Sequence, residues 1–153
     1  MRNLLLLTLC GLASLASADP YLTPQEAVAK MTVPAGFQVD LLAAEPDLVQ
    51  PIAFCWDSRG RLWVVEGNTY PARQGTAPAG TSSKPSEAQL ADIYGGKDRV
   101  LILEDADHNG FFEKRTVFVE GLNLVSGIAY GFGGIYIGAA PYLLHIPVEE
   151  GGI

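Results

Sequence analysis

The sequence predicts an all-β fold, a partial β-propeller of fewer than two four-stranded antiparallel blades with a short N-terminal helix. Short apolar runs alternate with turn residues through most of the chain, which holds 17 glycines and 10 prolines in 153 residues. Few segments show the 3.6-residue period of a helix. An apolar motif also occurs twice, as expected for consecutive blades.

The first 18 residues have the pattern of a cleaved secretory signal. Arg2 supplies the positive start, residues 4–15 form an apolar core, and Ala16-Ser17-Ala18 is a small-residue cleavage site. The apolar run is shorter than the roughly 20 residues that span a bilayer, so an uncleaved anchor is the weaker alternative. We therefore expect cleavage after Ala18 and a periplasmic or secreted mature chain without a transmembrane span.

Cysteine content and charge restrict the function classes. Cleavage would remove Cys10 and leave Cys55 alone, which rules out an internal disulfide in the mature chain. Cys55 lies in an alternating apolar segment and is interpreted as a small buried hydrophobe. Ten basic residues oppose 17 acidic ones, a formal net charge of −7. Because no cluster of Lys and Arg is present to displace counterions, the sequence argues against nucleic-acid binding.

The expected helix and strands follow from local signals. Thr23-Pro24-Gln25-Glu26 has the signature of a capped helix start, and Pro34 ends that helix near Met31. The loop 68–97 is rich in Pro, Gly and Ser, and contains a second short helix capped by Ser86. Strands are predicted from an alternating segment at 37–42 and from short apolar runs at 51–56, 61–66, 99–104, 115–120, 126–130, 135–139 and 142–147.

The repeated motif divides into two parts. Ile52-Ala53-Phe54 matches Ile128-Ala129-Tyr130, and the run from Gly60 to Val64 matches Gly133 to Ile137. The two parts lie closer together in the second copy, which therefore has the shorter turn. A recurring up-and-down unit of about four strands is typical of a propeller blade, which needs stacked neighbours to bury both faces of its sheet.

The predicted domain organisation follows from this repeat. It comprises a signal peptide at 1–18, an N-terminal segment with the short helix at 19–32, and an incomplete propeller domain at 33–153. The first blade covers about 50–121, and the second begins at about 125. We expect the chain to be a fragment, with the missing blades and downstream domains of the same protein as its partners.

Several stretches combine into a specific set of motifs. They are Val33-Pro34-Ala35-Gly36-Phe37, Ala44-Glu45-Pro46, Pro51-Ile52-Ala53-Phe54, Gly60-Arg61-Leu62-Trp63-Val64-Val65-Glu66, Gly96-Lys97-Asp98-Arg99-Val100, Asp105-x-Asp107-x-Asn109-Gly110, Gly121-Leu122-Asn123-Leu124-Val125-Ser126-Gly127 and Gly138-Ala139-Ala140-Pro141-Tyr142-Leu143-Leu144. Over roughly 33–147 the chain resembles the N-terminal propeller of the PVC-type haem-binding CxxCH family of membrane-bound dehydrogenases, which is similar to soluble quinoprotein glucose and sorbosone dehydrogenases.

The resemblance implies the N-terminal propeller portion of an exported quinoprotein-like dehydrogenase that oxidises sugars or alcohols. Quinone and haem c are implied for full-length members, which carry helical repeats and a cytochrome c module. These 153 residues contain no Cys-x-x-Cys-His motif, and the catalytic histidine implied by the analogy would lie beyond Ile153. No catalytic residue is therefore assigned, and enzymatic activity of this chain stays open. The alternative is a non-catalytic propeller module that binds carbohydrate or a protein partner.

A loop between two predicted strands has the donors of a calcium site. Its oxygen donors, four side chains and one backbone carbonyl, come from Asp105, Asp107, Asn109, Glu113 and Phe111. Gly110 provides the sharp bend, but Thr116 stands where an EF-hand needs a bidentate glutamate. Two interpretations stay open, a Ca²⁺ loop of a propeller hairpin and a plain turn closed by Asx-type hydrogen bonds.

A second candidate site lies on the loops that share one face of a propeller. Its polar and aromatic candidates for binding a sugar or quinone are Glu66, Asn68, Tyr70, Arg73, Asn123 and Ser126. Loop capping and solvated surface are the alternative role for these groups. The Asp105 loop would lie on the opposite face, so a metal there would be structural. His145 alternates within a predicted strand and is interpreted as structural, whereas His108 lies in a predicted exposed turn and has no partner at metal-ligand spacing.

Overall fold

The computed structural model describes residues 21–75 and 84–149, and most of these residues are in β-strands and their connections. Its elements are α1 (Pro24–Lys30), β1 (Pro51–Trp56), β2 (Leu62–Glu66), α2 (Glu87–Ile93), β3 (Asp98–Glu104), β4 (Lys114–Leu122), β5 (Val125–Gly131), β6 (Gly134–Ala139) and β7 (Tyr142–Pro147). The predicted signal peptide at 1–18 lies outside the described residues. Neither described helix is long and apolar enough to cross a membrane.

The described strands form two antiparallel sheets in which sequence neighbours pair. Sheet A has the order β1-β2-β3-β4, and sheet B has the order β5-β6-β7. Both sheets are open, and no closed barrel is formed by the described strands. This confirms the all-β prediction of one four-stranded unit followed by three strands of a second. Both predicted helices are also confirmed. Each begins with a capping box, at Thr23 for α1 and at Ser86 for α2.

The main core lies between the facing surfaces of the two sheets. On sheet A, Trp63 and Val65 are fully buried, and on sheet B, Ile135 and Ile137 are fully buried. The Trp63 ring lies 4.9 Å from the Phe118 ring and 6.0 Å from the Tyr130 ring of sheet B, measured between ring centroids. Because each sheet covers one apolar face of the other, this contact removes the largest apolar area from water.

The opposite face of sheet A is partly covered by the segment that precedes β1. Leu62, Val64 and Leu103 form a second buried cluster there, against which Ala43, Leu48 and Phe112 pack. The Phe112 amide donates to the Leu42 carbonyl at 2.8 Å, so the β3–β4 turn also holds this segment. Sheet A is thus covered on both faces over β2 and β3.

The predicted strand at 37–42 was wrong. Residues 37–42 are irregular, and Phe37, expected on a buried face, is 72% exposed. A strand needs a ladder of backbone hydrogen bonds to a neighbour. This stretch instead makes a turn bond from the Phe37 amide to the Pro34 carbonyl at 3.1 Å and meets sheet A at Leu42. The alternation of apolar residues therefore did not suffice without a pairing partner.

The two sheets repeat the same hairpin, but in a different register from that of the sequence match. Cys55 lies opposite Trp63 in sheet A, and Ala129 lies opposite Tyr136 in sheet B. Trp63 and Tyr136 occupy the same place in the repeated motif, so the residues opposite them, Cys55 and Ala129, are structurally equivalent. A register shift also follows the first residue of β1 and of β5.

The sequence match was out of register along the first strand of the repeat. Phe54 is structurally equivalent to Ile128 and not to Tyr130, as the paired positions show. Ile128 and Tyr130 are two residues apart, and side chains alternate between the faces of a strand with a period of two, so both lie on the same face. Every side chain therefore stays on its predicted face, and the repeat itself was predicted correctly.

The Asp57 carboxylate organises the β1–β2 turn. It accepts hydrogen bonds from the Arg59 amide at 2.9 Å, the Arg61 amide at 3.0 Å, Arg61 Nε at 2.7 Å and Trp63 Nε1 at 2.9 Å. Burial alone would raise the pKa of Asp57, but these hydrogen bonds outweigh burial and hold the pKa below its ordinary value of 3.8. One carboxylate therefore ties the turn to the core tryptophan.

We expect Asp57→Ala to lower the free energy of unfolding by roughly 2–4 kcal/mol, because the buried Trp63 N–H and the Arg61 guanidinium lose their acceptor. Urea unfolding followed by tryptophan fluorescence measures this loss. The matched control, Asp47→Ala, removes an exposed carboxylate and should change stability by less than about 0.5 kcal/mol. Equal losses for both variants would contradict the role of Asp57.

The same comparison has a defined pH dependence. Because the folded pKa of Asp57 is depressed, its stabilisation is complete above the unfolded value near 3.8 and is lost as pH falls through the folded value. The stability difference between wild type and Asp57→Ala should therefore be constant near neutral pH and shrink below about pH 3.8.

Candidate functional site

The six predicted ligand residues lie at one edge of the two sheets, where β2 and β4 end and β5 begins. Glu66 closes β2, Asn123 follows β4, and Ser126 is the second residue of β5. Asn68, Tyr70 and Arg73 follow β2 in the long loop. Most of the polar groups at this edge, which we name the loop edge, bind other parts of the protein.

Glu66 is fully buried at the end of β2. Its Oε1 accepts from the Val49 amide at 2.8 Å, and its Oε2 pairs with Arg99 Nε on the neighbouring strand. One oxygen therefore holds the segment before β1, and the other neutralises a cation on β3. Both carboxylate oxygens serve the fold.

Asn123 is 1% exposed and binds the long loop to α2. Its Oδ1 accepts from the Gln74 amide at 3.1 Å, and its Nδ2 donates to the Gln74 carbonyl at 2.6 Å and the Asp92 carbonyl at 3.1 Å. The side-chain amide thus pairs with a backbone amide as a neighbouring strand would. This role requires the short two-sided amide of asparagine.

Arg73 links the long loop to sheet B. Its guanidinium pairs with the Asp92 carboxylate of α2 and donates to the carbonyl of Ala140, which precedes β7. It also lies 6.0 Å from the ring centroid of Tyr142, within cation–π range. Burial raises the pKa of Tyr142, and the nearby Asp92 carboxylate adds to this effect.

Sequence reasoning missed Asp98, the acid that joins the two sheets at this edge. Asp98 is 1% exposed, and its Oδ2 accepts from the amide of Val125, the first residue of sheet B, at 2.7 Å. Its Oδ1 accepts from the Thr69 amide of the long loop. The available signal was an acid at the first position of β3, two residues before its apolar run begins at Val100, where a buried acid must have partners.

Tyr70 has an exposed side chain, at 69%. Asn68 is half-buried beside it, and Ser126 is exposed, with its hydroxyl donating to the Gly138 carbonyl at 3.4 Å. The structure therefore gathers all six residues at one edge and leaves Tyr70 and Ser126 facing solvent. The others contribute more to the fold than to an open pocket.

The Asp105 loop is the turn between β3 and β4, at the opposite edge of sheet A. Asp105, Asp107 and Glu113 can each offer one carboxylate oxygen, and these oxygens all lie within 4.8 Å of one another. Calcium binds oxygens at about 2.3–2.6 Å, so two of its ligands can lie at most about 5 Å apart. The spacing of the three carboxylates is therefore compatible with ligands of one ion.

The same loop closes on itself through Asx-type hydrogen bonds. Asp105 accepts from the Asn109 amide at 3.0 Å and the Gly110 amide at 2.9 Å. Asn109 Oδ1 accepts from the Phe111 amide at 2.7 Å, and Gly110 has a φ of 91°, a conformation that favours glycine. These bonds orient the carboxylates, and both sequence interpretations, a calcium loop and a plain turn, agree with them.

Cys55 and His145 pack within the sheets, whereas His108 lies in an exposed turn. Cys55 is half-buried on the face of β1 that meets sheet B, where burial raises the pKa of its thiol and a hydrogen bond with the Tyr130 backbone offsets part of the rise. His145 packs on the Tyr136 ring, with 4.6 Å between ring centroids. His108 lies in the Asp105 turn with a φ of 59°.

A further cleft of about 220 Å³ lies on the Asp57 side of the sheets. Its lining brings together the β1–β2 turn and the residues after β7, namely Ser58, Arg59, Arg61, Tyr130, Val148 and Glu149. The Arg61 guanidinium is already paired with Asp57 at 2.7 Å, and Glu149 contributes opposite charge. The cleft therefore has no concentrated charge of either sign.

Two consecutive antiparallel meander sheets, with a buried polar edge and an acidic turn, define a β-sheet protein built from a repeated unit. The chain belongs to the family described as a domain of unknown function, DUF7133, which matches residues 23–151. No match was found among curated proteins or among solved structures. The family match covers both sheets, the loop edge and the Asp105 loop.

We expect Asn123→Ala to release the long loop and speed trypsin cleavage after Arg73 by roughly tenfold. The variant removes three hydrogen bonds. A decrease of about 1.4 kcal/mol in the free energy of local opening makes the open loop ten times more populated, and cleavage of the loop becomes faster by the same factor. Mass spectrometry of timed digests measures the rate. Cleavage after Arg115, inside β4, reports global unfolding and should stay unchanged. A rise at both sites would show a global effect instead.

Proposed function

We propose that this chain forms the N-terminal propeller portion of an exported quinoprotein-like dehydrogenase that oxidises sugars or alcohols, of the PVC-type haem-binding CxxCH kind. The motif combination over 33–147 supports this, together with two stacked sheets of the expected strand order. The observation that carries the scaffold role is the use of Glu66, Arg73 and Asn123 to hold the loop edge together. In this proposal the chain supports a site and does not perform its chemistry.

The proposed division of labour follows from the residues present. When bound, a quinone would accept the two electrons removed from the substrate carbon. The chain holds no Cys-x-x-Cys-His motif, so a covalently attached haem does not fit these 153 residues. The rigid loop edge would position Tyr70 and Asn68 at the substrate, where their function is contact and orientation.

The alternative function is a propeller module that binds carbohydrate without catalysis. Its support is the 69% exposed Tyr70 ring on an edge fixed by buried polar groups. An aromatic face can pack on the apolar face of a sugar, and its hydroxyl can donate a hydrogen bond. In that case the loop edge would bind sugars with no electron acceptor present.

An assay of the protein made from the entire reading frame distinguishes these functions. With added quinone and a redox dye, the dehydrogenase proposal expects dye reduction with at least one sugar or alcohol of a broad panel. Tyr70→Ala should raise KM with little loss of stability, because its side chain is exposed. Folded protein that binds sugars but reduces no dye across the panel would support the binding module and reject the dehydrogenase.

For the Asp105 loop, we propose a structural Ca²⁺ held by Asp105, Asp107, Asn109, the Phe111 carbonyl and Glu113. The proposal is supported by three carboxylate oxygens within 4.8 Å of one another. It is also supported by the positive φ angles of His108 and Gly110, which form the tight turn that orients these carboxylates. The next residue, Phe112, anchors the segment before β1 through its amide and its ring. Calcium would therefore stabilise the packing of the segment before β1 on sheet A.

Calcium titration tests this site. At a free concentration 100 times Kd, one site should add about 2.7 kcal/mol to the free energy of unfolding, seen as a higher melting temperature. Asp107→Ala should abolish the calcium-dependent shift, whereas the exposed control Asp47→Ala should keep it. Identical curves for wild type and Asp107→Ala would reject the metal site and favour the plain turn.

A further inference from the structure

Sheet A has an apolar strip on β1 that the rest of the described chain leaves open. Ile52, Phe54 and Trp56 are 43%, 66% and 47% exposed. Phe54 pairs with Val64 and Trp56 with Leu62, and paired residues share a face. This face points away from sheet B. The segment before β1 covers the β2 and β3 part of the face. Phe112 contacts the Trp56 end of the strip, with 5.5 Å between ring centroids, and the remainder of the strip is open.

The exposed strip has an equivalent in sheet B that is already used for packing. In the register set by the strand pairing, Phe54 corresponds to Ile128 and Trp56 corresponds to Tyr130. Ile128 and Tyr130 pack against sheet A, where Tyr130 lies 6.0 Å from the Trp63 ring. The face through which sheet B docks on sheet A therefore recurs on sheet A, pointing outward.

The other half of the contact is repeated as well. In the packing of the two sheets, β1 presents the small residues Ala53 and Cys55 to sheet B. Their equivalents on β5 are Gly127 and Ala129, on the face of sheet B that points away from sheet A. Ala129 is exposed, and a Cβ atom built on Gly127 would meet no atom within 4 Å. This outer face of β5 has space for a large side chain.

We propose that the chain binds a second copy of itself head to tail, with the outer strip of β1 seated on the outer face of β5. Phe54 and Trp56 of one copy take the places that Ile128 and Tyr130 take within the chain. The contact repeats the packing of sheet B on sheet A, so its geometry already exists in the protein. Because its two surfaces differ, each copy keeps one free surface of each kind, and association proceeds beyond dimers unless a ring closes. The inference concerns the association of these 153 residues and rests on the repeated fold. In a longer propeller of the kind proposed above, neighbouring blades of the same protein would compete for the same two surfaces.

Sedimentation of the purified chain at increasing micromolar concentration tests the proposal. Wild type should form dimers and larger species as concentration rises. Phe54→Asp blocks one surface and Ala129→Asp blocks the other, so each variant alone should stay monomeric. Mixed at equal amounts, they should form a one-to-one dimer that does not grow, because one intact surface of each kind remains. Phe37→Asp is the matched control at a similarly exposed phenylalanine, 72% against 66%, and should associate as wild type does.

Several results would overturn the proposal. These are a monomeric wild type at every concentration, association of Phe54→Asp or Ala129→Asp alone, or a mixture that stays monomeric. Association of Ala129→Asp alone would point to a symmetric contact between two β1 strips. Circular dichroism confirms that each variant keeps its β-sheet signal. A variant that loses the signal is replaced by Phe54→Lys or Ala129→Lys, for which the same results are expected and the same results overturn the proposal.

Discussion

The contact of Trp63 with sheet B is the interaction on which the rest of the structure depends. The indole N–H binds the Asp57 carboxylate at 2.9 Å, its ring meets Phe118 within sheet A, and it meets Tyr130 across the interface. A single open sheet leaves one or both apolar faces in water and is marginal by itself. The two sheets are stable together because each buries the facing surface of the other. The turn, the sheet and the interface are thus joined at one fully buried side chain.

Buried acids at the loop edge impose the second constraint. Glu66 and Asp98 are almost completely removed from water, and a buried carboxylate is tolerated only where hydrogen bonds or an opposite charge compensate for its lost hydration. Glu66 meets both needs through Val49 and Arg99, whereas Asp98 binds the amides of Thr69 and Val125. The loop edge is therefore fixed by its own polar groups. This is why we assign it a supporting function and place the open contact at a single aromatic residue.

Short apolar runs bounded by turn residues were enough to predict the seven described strands and their order. The runs in β2 and β3 are continuous because both faces of these inner strands are buried. Alternation of apolar residues failed at 37–42, where no neighbouring strand supplies a hydrogen-bond ladder. The repeat was found from similar residues, yet its register is set by the length of the turn between the paired strands. Trp56 pairs with Leu62 and Tyr130 with Ile135, so the second turn is shorter by one residue, whereas the sequence match implied three. The role of Asp98 depends on Thr69 and Val125, which are distant in sequence, so position alone did not reveal it. The partners of Asp57 are near it in the chain, but the fold of the turn decides which groups its carboxylate binds.

The central claim is that the two sheets are equivalent units stacked through Trp63, with β5 and β6 paired as β1 and β2 are. Cross-strand nuclear Overhauser effects test it directly, since they report which residues lie opposite each other. The account predicts contacts that pair Tyr130 with Ile135 and Ala129 with Tyr136, together with contacts between the Trp63 and Tyr130 rings. Pairing of Tyr130 with Ile137, or no contact between the two rings, would contradict it.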